Sequence, residues 1–244
     1  MPTSDTPLET PFQADKKMSP REQTEWQATR LRDTWRIFRI MGEFVEGFER
    51  LGEIGPSVSV FGSARTKPGT AYYEMGRAVG RLLVSKGYAV ITGGGPGIME
   101  AANRGAQEAG GQSVGLNIVL PHEQRANPYV DPDKSIDFDF FFARKTMFVK
   151  YAQGFIVLPG GYGTMDELFE SLTLIQTGKT TRFPVVLMGT DFWGGLLGWL
   201  REIMLDAGNI AEPDLTLFTV TDDPEEAVRV IEAFSHEVGV APNF

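Results

Sequence analysis

Three clusters of small residues could host phosphate or acid–base chemistry: FGSAR (61–65), TGGGPGIME (92–100) and LPGGYGTMDE (158–167). Each follows a short apolar run and precedes a helical stretch. A turn from strand to helix aims backbone N–H groups and the positive end of the helix dipole at a ligand, which suits phosphate. Glycine there lets the backbone approach closely and adopt φ > 0. Charged candidates stand beside these turns: Glu100 after the second, Glu167 after the third, and Arg144 and Lys145 in ARKTMFVKYAQ. Two cations at the start of a helix are opposed by its dipole, so they require an anion or a carboxylate close by. Glu167 also has a purely local reading. Thr164-Met165-Asp166-Glu167 is T-x-x-E before an apolar run, a capping box in which Thr164 and Glu167 satisfy the first backbone donors. Both readings of Glu167 stand at this level.

Several familiar sites are excluded by spacing. G-x-G-x-x-G fails after Gly93 and Gly95, where Ile98 replaces the last glycine, and after Gly161 and Gly163, which lead to Asp166. Gly178-Lys179-Thr180 has Thr173 where a P-loop needs its first glycine. With no cysteine and two histidines, His122 and His236, neither a thiolate nucleophile nor a Cys- or His-rich metal site is expected. Asp131-Pro132-Asp133 lacks the glycine of a calcium loop and reads as a polar surface loop, with His122 nearby. No metal and no cofactor are expected.

The elements that must carry these residues follow from periodicity. Residues 1–22 are polar, hold four prolines and show no period, so a disordered arm is expected. An amphipathic helix is expected over 23–51, with Leu31, Trp35, Phe38, Met41, Val45 and Phe48 recurring every three or four residues. Ile37, Ile40 and Phe44 widen that face. From 52 to 244, short apolar runs at 58–61, 88–92, 113–118, 135–140, 154–158, 184–188 and 215–220 alternate with helical patterns at 72–86, 98–109, 143–153, 165–176, 192–206 and 224–238. Continuous apolar strands with intervening helices give an α/β fold: one Rossmann-like, doubly wound, mostly parallel sheet of about seven strands with an N-terminal helical extension.

Composition narrows the class further. The 244 residues carry a formal net charge of −9, which opposes binding to nucleic acid or an anionic membrane. No apolar run reaches the length of a membrane span, and MPTSDTPLETPFQADKK lacks a signal-peptide core, so a cytoplasmic protein is expected. Glycine is abundant, 28 residues, without the period of a fibrous chain, which fits turns and close backbone approaches.

PGGYGTMDE (159–167) resembles the P-G-G-x-G-T-x-x-E signature of the Lonely Guy (LOG) family, often mislabelled as possible lysine decarboxylases. GGGPGIMEAANRGA (93–106) and FFARKTMF (141–148) resemble its other two blocks, in the same order. The resemblance spans roughly 58–188. It implies a phosphoribohydrolase that cleaves the N-glycosidic bond of cytokinin riboside 5′-monophosphates, and of AMP, to free base and ribose 5-phosphate. Carried over by position, the catalytic pair is Arg144 and Glu167. The substrate-binding positions are Ser63, Gly94, Gly95, Glu100, Lys145, Gly160, Gly161, Gly163 and Thr164. The extra N-terminal helix resembles a longer subgroup, which implies a homo-oligomer, a dimer or a hexamer of dimers. The alternative is a non-catalytic nucleotide or molybdenum-cofactor carrier, with a similar fold and similar turns but no need of the Arg144/Glu167 pair. A lysine decarboxylase using pyridoxal phosphate would need an imine-forming lysine, for which no motif is present.

Overall fold

A computed structural model describes residues 19–120 and 126–244, without the side chains of 22–25 and 27–33. The arm expected at 1–22 lies outside the described residues up to position 18, as do His122 and the side chain of Leu31. The chain divides into two units, residues 1–42 and 43–244. Helix α1, Pro20–Leu51, begins three residues before the expected start. Its first residue is proline, which suits a position whose N–H has no helical partner. In the first unit Trp35, Phe38 and Met41 are exposed on this helix, Trp35 at 72%.

The second unit is built on seven strands: β1 Ser57–Phe61, β2 Ala89–Thr92, β3 Ser113–Ile118, β4 Ser135–Phe138, β5 Ala152–Val157, β6 Val185–Met188 and β7 Phe218–Thr221. All neighbours pair in parallel, in the order β4-β3-β2-β1-β5-β6-β7. This is the expected doubly wound α/β sheet. Helices α2 Ala71–Ser85, α3 Ile98–Glu108, α4 Phe141–Tyr151, α5 Tyr162–Gln176 and α6 Thr190–Trp199 lie in the connections between strands, and α7 Pro224–Val238 follows β7.

Burial of both faces explains the continuous apolar strands. On one face Val58, Val60, Val90, Ile156 and Val186 pack with Val79, Leu83, Ile98, Ala102 and Ile231 of α2, α3 and α7. Gly80 and Gly105 let α2 and α3 touch; a Cβ at Gly80 would lie 2.2 Å from the Ala102 carbonyl oxygen. On the other face Phe61 meets Phe148 of α4 and Phe155, each with ring centroids 4.9 Å apart, and Phe155 meets Phe183.

Element edges moved where glycines or aromatics obscured the pattern. Helix α5 starts at Tyr162 instead of 165, and α4 at Phe141 instead of 143. The helix expected to run to 206 ends at Trp199 and continues as a π-helical turn, Leu200–Leu205. Strand order reverses beside β1: β2, β3 and β4 lie to one side, and β5, β6 and β7 to the other. Ligands in such sheets sit at the carboxyl ends of the strands flanking that reversal.

Candidate active site

A cavity of about 860 Å³ lies at that reversal. Its walls are the turn after β1 (61–66), the turn after β5 with the first residues of α5 (159–167), and Arg144 and Phe148 from α4. Gly93, Met99, Ile118, Phe141 and Phe192 complete it. The two turns are tied together: Ser63 N–H donates to the Pro159 carbonyl at 2.9 Å, and Leu158 N–H to that of Phe61 at 2.9 Å. A volume of this size accommodates a nucleotide.

Helix α5 begins differently from a capping box. Gly161 is the N-cap, no side chain caps the helix, and Met165 N–H makes an early helical bond to the Gly161 carbonyl at 3.0 Å. Thr164 therefore sits inside the first turn, and Glu167 lies a full turn further along, too far to reach back to the cap. The capping reading of Thr164 and Glu167 does not hold. The N-terminus instead faces the cavity through Gly161 and Gly163, where an added Cβ would meet nothing within 4 Å. Uncapped N–H groups with the dipole behind them form an anion site.

Glu167 is 6% exposed, and its Oε2 has no hydrogen-bond partner. Burial pushes its carboxyl up to about 7, against the opposing pull of the Lys145 and Arg144 charges. A buried, unpartnered carboxylate on a cavity wall is poorly explained as a structural group. Arg144 is anchored on its backbone side: Nε donates to the Leu116 carbonyl at 2.7 Å and Nη2 to that of Gly93 at 3.4 Å. Its guanidinium also lies 5.1 Å from the Phe148 ring centroid. Burial lowers its pKa and the Glu167 charge opposes that shift. The remaining N–H groups of the fork are left for the cavity.

Residues 99–231 match the model of a family described as possible lysine decarboxylase. The chain belongs to that family, the Lonely Guy family. The cytokinin riboside 5′-monophosphate phosphoribohydrolase of Mycobacterium tuberculosis is 33% identical over 161 residues, covering 64% of this chain and 83% of that protein. The rice (Oryza sativa subsp. japonica) protein of that name, LOG, is 29% identical over 185 residues, covering 73% of this chain and 74% of its own. Among solved structures, the molybdenum cofactor carrier protein of Chlamydomonas reinhardtii is 26% identical with a TM-score of 0.53, covering 74% of this chain and 99% of that one.

In this LOG-family chain the cavity brings together Ser63, Arg144, Gly160, Gly161, Gly163, Thr164 and Glu167. It does not bring in Gly94, Gly95, Glu100 or Lys145. Lys145 is engaged by Glu170 at 2.7 Å and Asp166 at 2.9 Å. Burial alone would lower its pKa, but these carboxylates raise it on balance. Glu100 accepts from the Tyr73 hydroxyl at 2.8 Å. The second glycine turn is held by its own scaffold: Gly94 N–H donates to Thr92 Oγ1 at 2.9 Å, and Asn127 Nδ2 donates to the Gly94 and Gly95 carbonyls and to Asn103 Oδ1.

Sequence reasoning missed the apolar lining, Met99, Ile118, Phe141, Phe148 and Phe192, together with Arg65 and Thr66. A signal existed in the aromatic run before Arg144. Phe141 and Phe142 are about half exposed, unusual for phenylalanines in a packed strand–helix junction. Among the described residues no group of acidic or histidine side chains could hold a metal ion, and no helix is long and apolar enough to cross a membrane.

Proposed function

We propose that this protein hydrolyses the N-glycosidic bond of nucleoside 5′-monophosphates, AMP and cytokinin riboside monophosphates among them, releasing free base and ribose 5-phosphate. The observation that carries the reading is Glu167, buried and unpartnered, on the same cavity wall as the open start of α5 and facing the field of Arg144. The phosphate sits on the N–H groups at 161–164, with the Thr164 hydroxyl beside them. That placement leaves the ribose below Glu167 and the base against the Phe and Met lining.

Cleavage of C1′–N sends the bonding pair to the base and leaves positive charge on the sugar. The Glu167 carboxylate stabilises that charge and takes a proton from the water that adds to C1′. The same proton completes the departing base, so one water is consumed and nothing is oxidised. Arg144 stays protonated and contributes by charge and position. An imine mechanism would need a lysine on the wall. Among the described residues none lines the cavity, and Lys145 is held by two carboxylates.

The proposal includes a cytoplasmic location, supported by the cysteine-free composition, and a homo-oligomer, a dimer or a hexamer of dimers. Exposed Trp35, Phe38, Met41 and Val45 along α1 support assembly. Light scattering that returned the mass of one chain at micromolar concentration would remove it. The function is tested by incubating the protein with AMP and isopentenyl-AMP and separating the products by chromatography. Free base and ribose 5-phosphate are expected. Tight nucleotide binding without any base release would place the protein with the carriers.

A further inference from the structure

The two cations at the start of α4 are accompanied by a carboxylate from a distant part of the chain. Glu43, half-buried in the second half of α1, accepts from Asp139 N–H at 2.8 Å and from Phe140 N–H at 3.2 Å through its two oxygens. Phe140 is the N-cap of α4 and has no polar side chain to cap it. Its carbonyl receives the Arg144 N–H at 3.2 Å, the helical bond that fixes Arg144 in the first turn. Below this point α1 tracks α4. A Cβ at Gly47 would lie 2.8 Å from the Met147 side chain, and the Tyr151 hydroxyl donates to the Phe48 carbonyl at 3.2 Å.

We propose that Glu43 is a positioning residue for Arg144, setting through Asp139 and Phe140 where α4 begins and hence where the guanidinium sits over the cavity. This rests on the hydrolytic reading of the site. The physical argument is one of leverage. Arg144 is only the fourth residue of α4, and its fork is aligned by two carbonyls outside that helix, Leu116 on β3 and Gly93 in the turn after β2. A shift of the helix start therefore moves the guanidinium against fixed partners. Misplacement of a charge by about 1 Å is enough to lower a rate substantially. Glu43 does not touch substrate in this picture; it acts through the backbone, and its negative charge complements the dipole at the start of α4.

The test compares Glu43→Gln with Arg50→Ala. Arg50 ties the same helix elsewhere, donating to the Asp133 and Ser135 carbonyls at 2.9 Å each. Glu43→Gln places an amide N–H against one backbone N–H; kcat for AMP should fall about tenfold with KM changed by less than about twofold. Glu43→Asp should recover part of the loss. Arg50→Ala, which loosens α1 without touching the start of α4, should keep kcat within about twofold of wild type.

A second readout needs no turnover: the titration of Glu167, followed by 13C NMR of carboxyl-labelled protein and assigned with Glu167→Gln. Simple loss of the Glu43 charge would lower its midpoint, whereas retreat of Arg144 raises it. Facing Glu167 are Lys145 and Arg144, which lower its pKa, and Glu170 and Asp166, which raise it. A raised midpoint in Glu43→Gln, unchanged in Arg50→Ala, supports the proposal even if wild type releases no base, in which case only the hydrolytic reading falls. An active wild type whose kcat and Glu167 midpoint are both unmoved by Glu43→Gln overturns the positioning role. Equal losses of kcat in both variants overturn it too.

Discussion

Two glycine-rich turns end neighbouring regions of the same sheet, and they do different work. The turn after β2 (93–97) is closed on itself. Thr92 and Asn127 bond its backbone, Asn103 accepts from both of their side chains, and a Cβ at Gly94 would lie 1.9 Å from Asn117 Oδ1. The turn after β5 (159–163) has no side chain capping the helix that follows, and at Gly161 and Gly163 the space beside the backbone is open. Gly94 and Gly97 in the turn after β2 make room for the protein itself, as does Gly160 against Thr164, whereas Gly161 and Gly163 border open cavity. What a methyl group would meet separates the two cases, and composition alone does not.

The largest expected effect falls on the open turn. Glu167→Gln should lower kcat for AMP on the order of 10²-fold or more, Arg144→Ala comparably, and the double variant little further, because the two act on one charge distribution. The pH dependence follows from the same group. In the proposed reaction Glu167 acts as a carboxylate, and burial raises its pKa to about 7, so kcat/KM of the free enzyme should climb as pH rises through about 7. Stability runs the other way. A carboxyl whose folded pKa exceeds its unfolded value contributes most below about 4.5, and that contribution is lost as pH rises through about 7. Glu167→Gln should therefore raise the melting temperature relative to wild type more at pH 8 than at pH 5, measured by scanning calorimetry.

The closed turn should answer in stability instead. Gly94→Ala combines φ of +69° with the clash against Asn117 and should cost about 2 kcal/mol or more in urea unfolding. Asn127→Ala removes the donor shared by Gly94, Gly95 and Asn103 and should cost roughly 1–3 kcal/mol, with kcat of the folded fraction within about threefold of wild type. A large kcat defect with unchanged stability would mean that the closed turn touches substrate after all.

Gly163→Ala sharpens the comparison from the other side. An alanine in the first turn of α5 has open space and better helix propensity, so the melting temperature should hold or rise slightly. The added methyl enters the cavity, so KM for AMP should rise several-fold on the order of one kcal/mol. Unchanged KM would remove the phosphate from this turn.

Most of the architecture was legible from periodicity. Residues 113–118 and 224–238 fall on β3 and α7, because the alternation of Val114, Leu116 and Ile118 with small or polar residues reads as a strand and the proline-started amphipathic run reads as a helix. The start of α5 was hidden by its own glycines. Gly161 and Gly163 read as loop, so Thr164 looked like the cap, whereas docking on the sheet outweighs the propensity penalty and draws the helix back to Tyr162. The closed state of the second turn depends on Asn117 and Asn127, more than twenty residues downstream, which no local pattern links to Gly94. The need for carboxylates beside Arg144 and Lys145 was legible, and Glu167 faces the first while Asp166 and Glu170 hold the second. Glu43, which lies 96 and 97 positions before the two amides it holds at the start of α4, could be found only in three dimensions.

Strands β1 and β5, which carry the turns on either side of the cavity, are partners separated by about 95 positions in the chain. Every other pairing in the sheet joins strands that are consecutive in sequence. Closing so long a loop makes this the most entropically demanding strand pairing of the sheet, and it rewards nothing until both halves hold their shape. During refolding the two wings, β1–β4 and β5–β7, can acquire helix and strand signals before this seam zips. Recovery of activity should then trail recovery of secondary structure, and a molecule with its seam open would be well ordered by circular dichroism yet have no site at all.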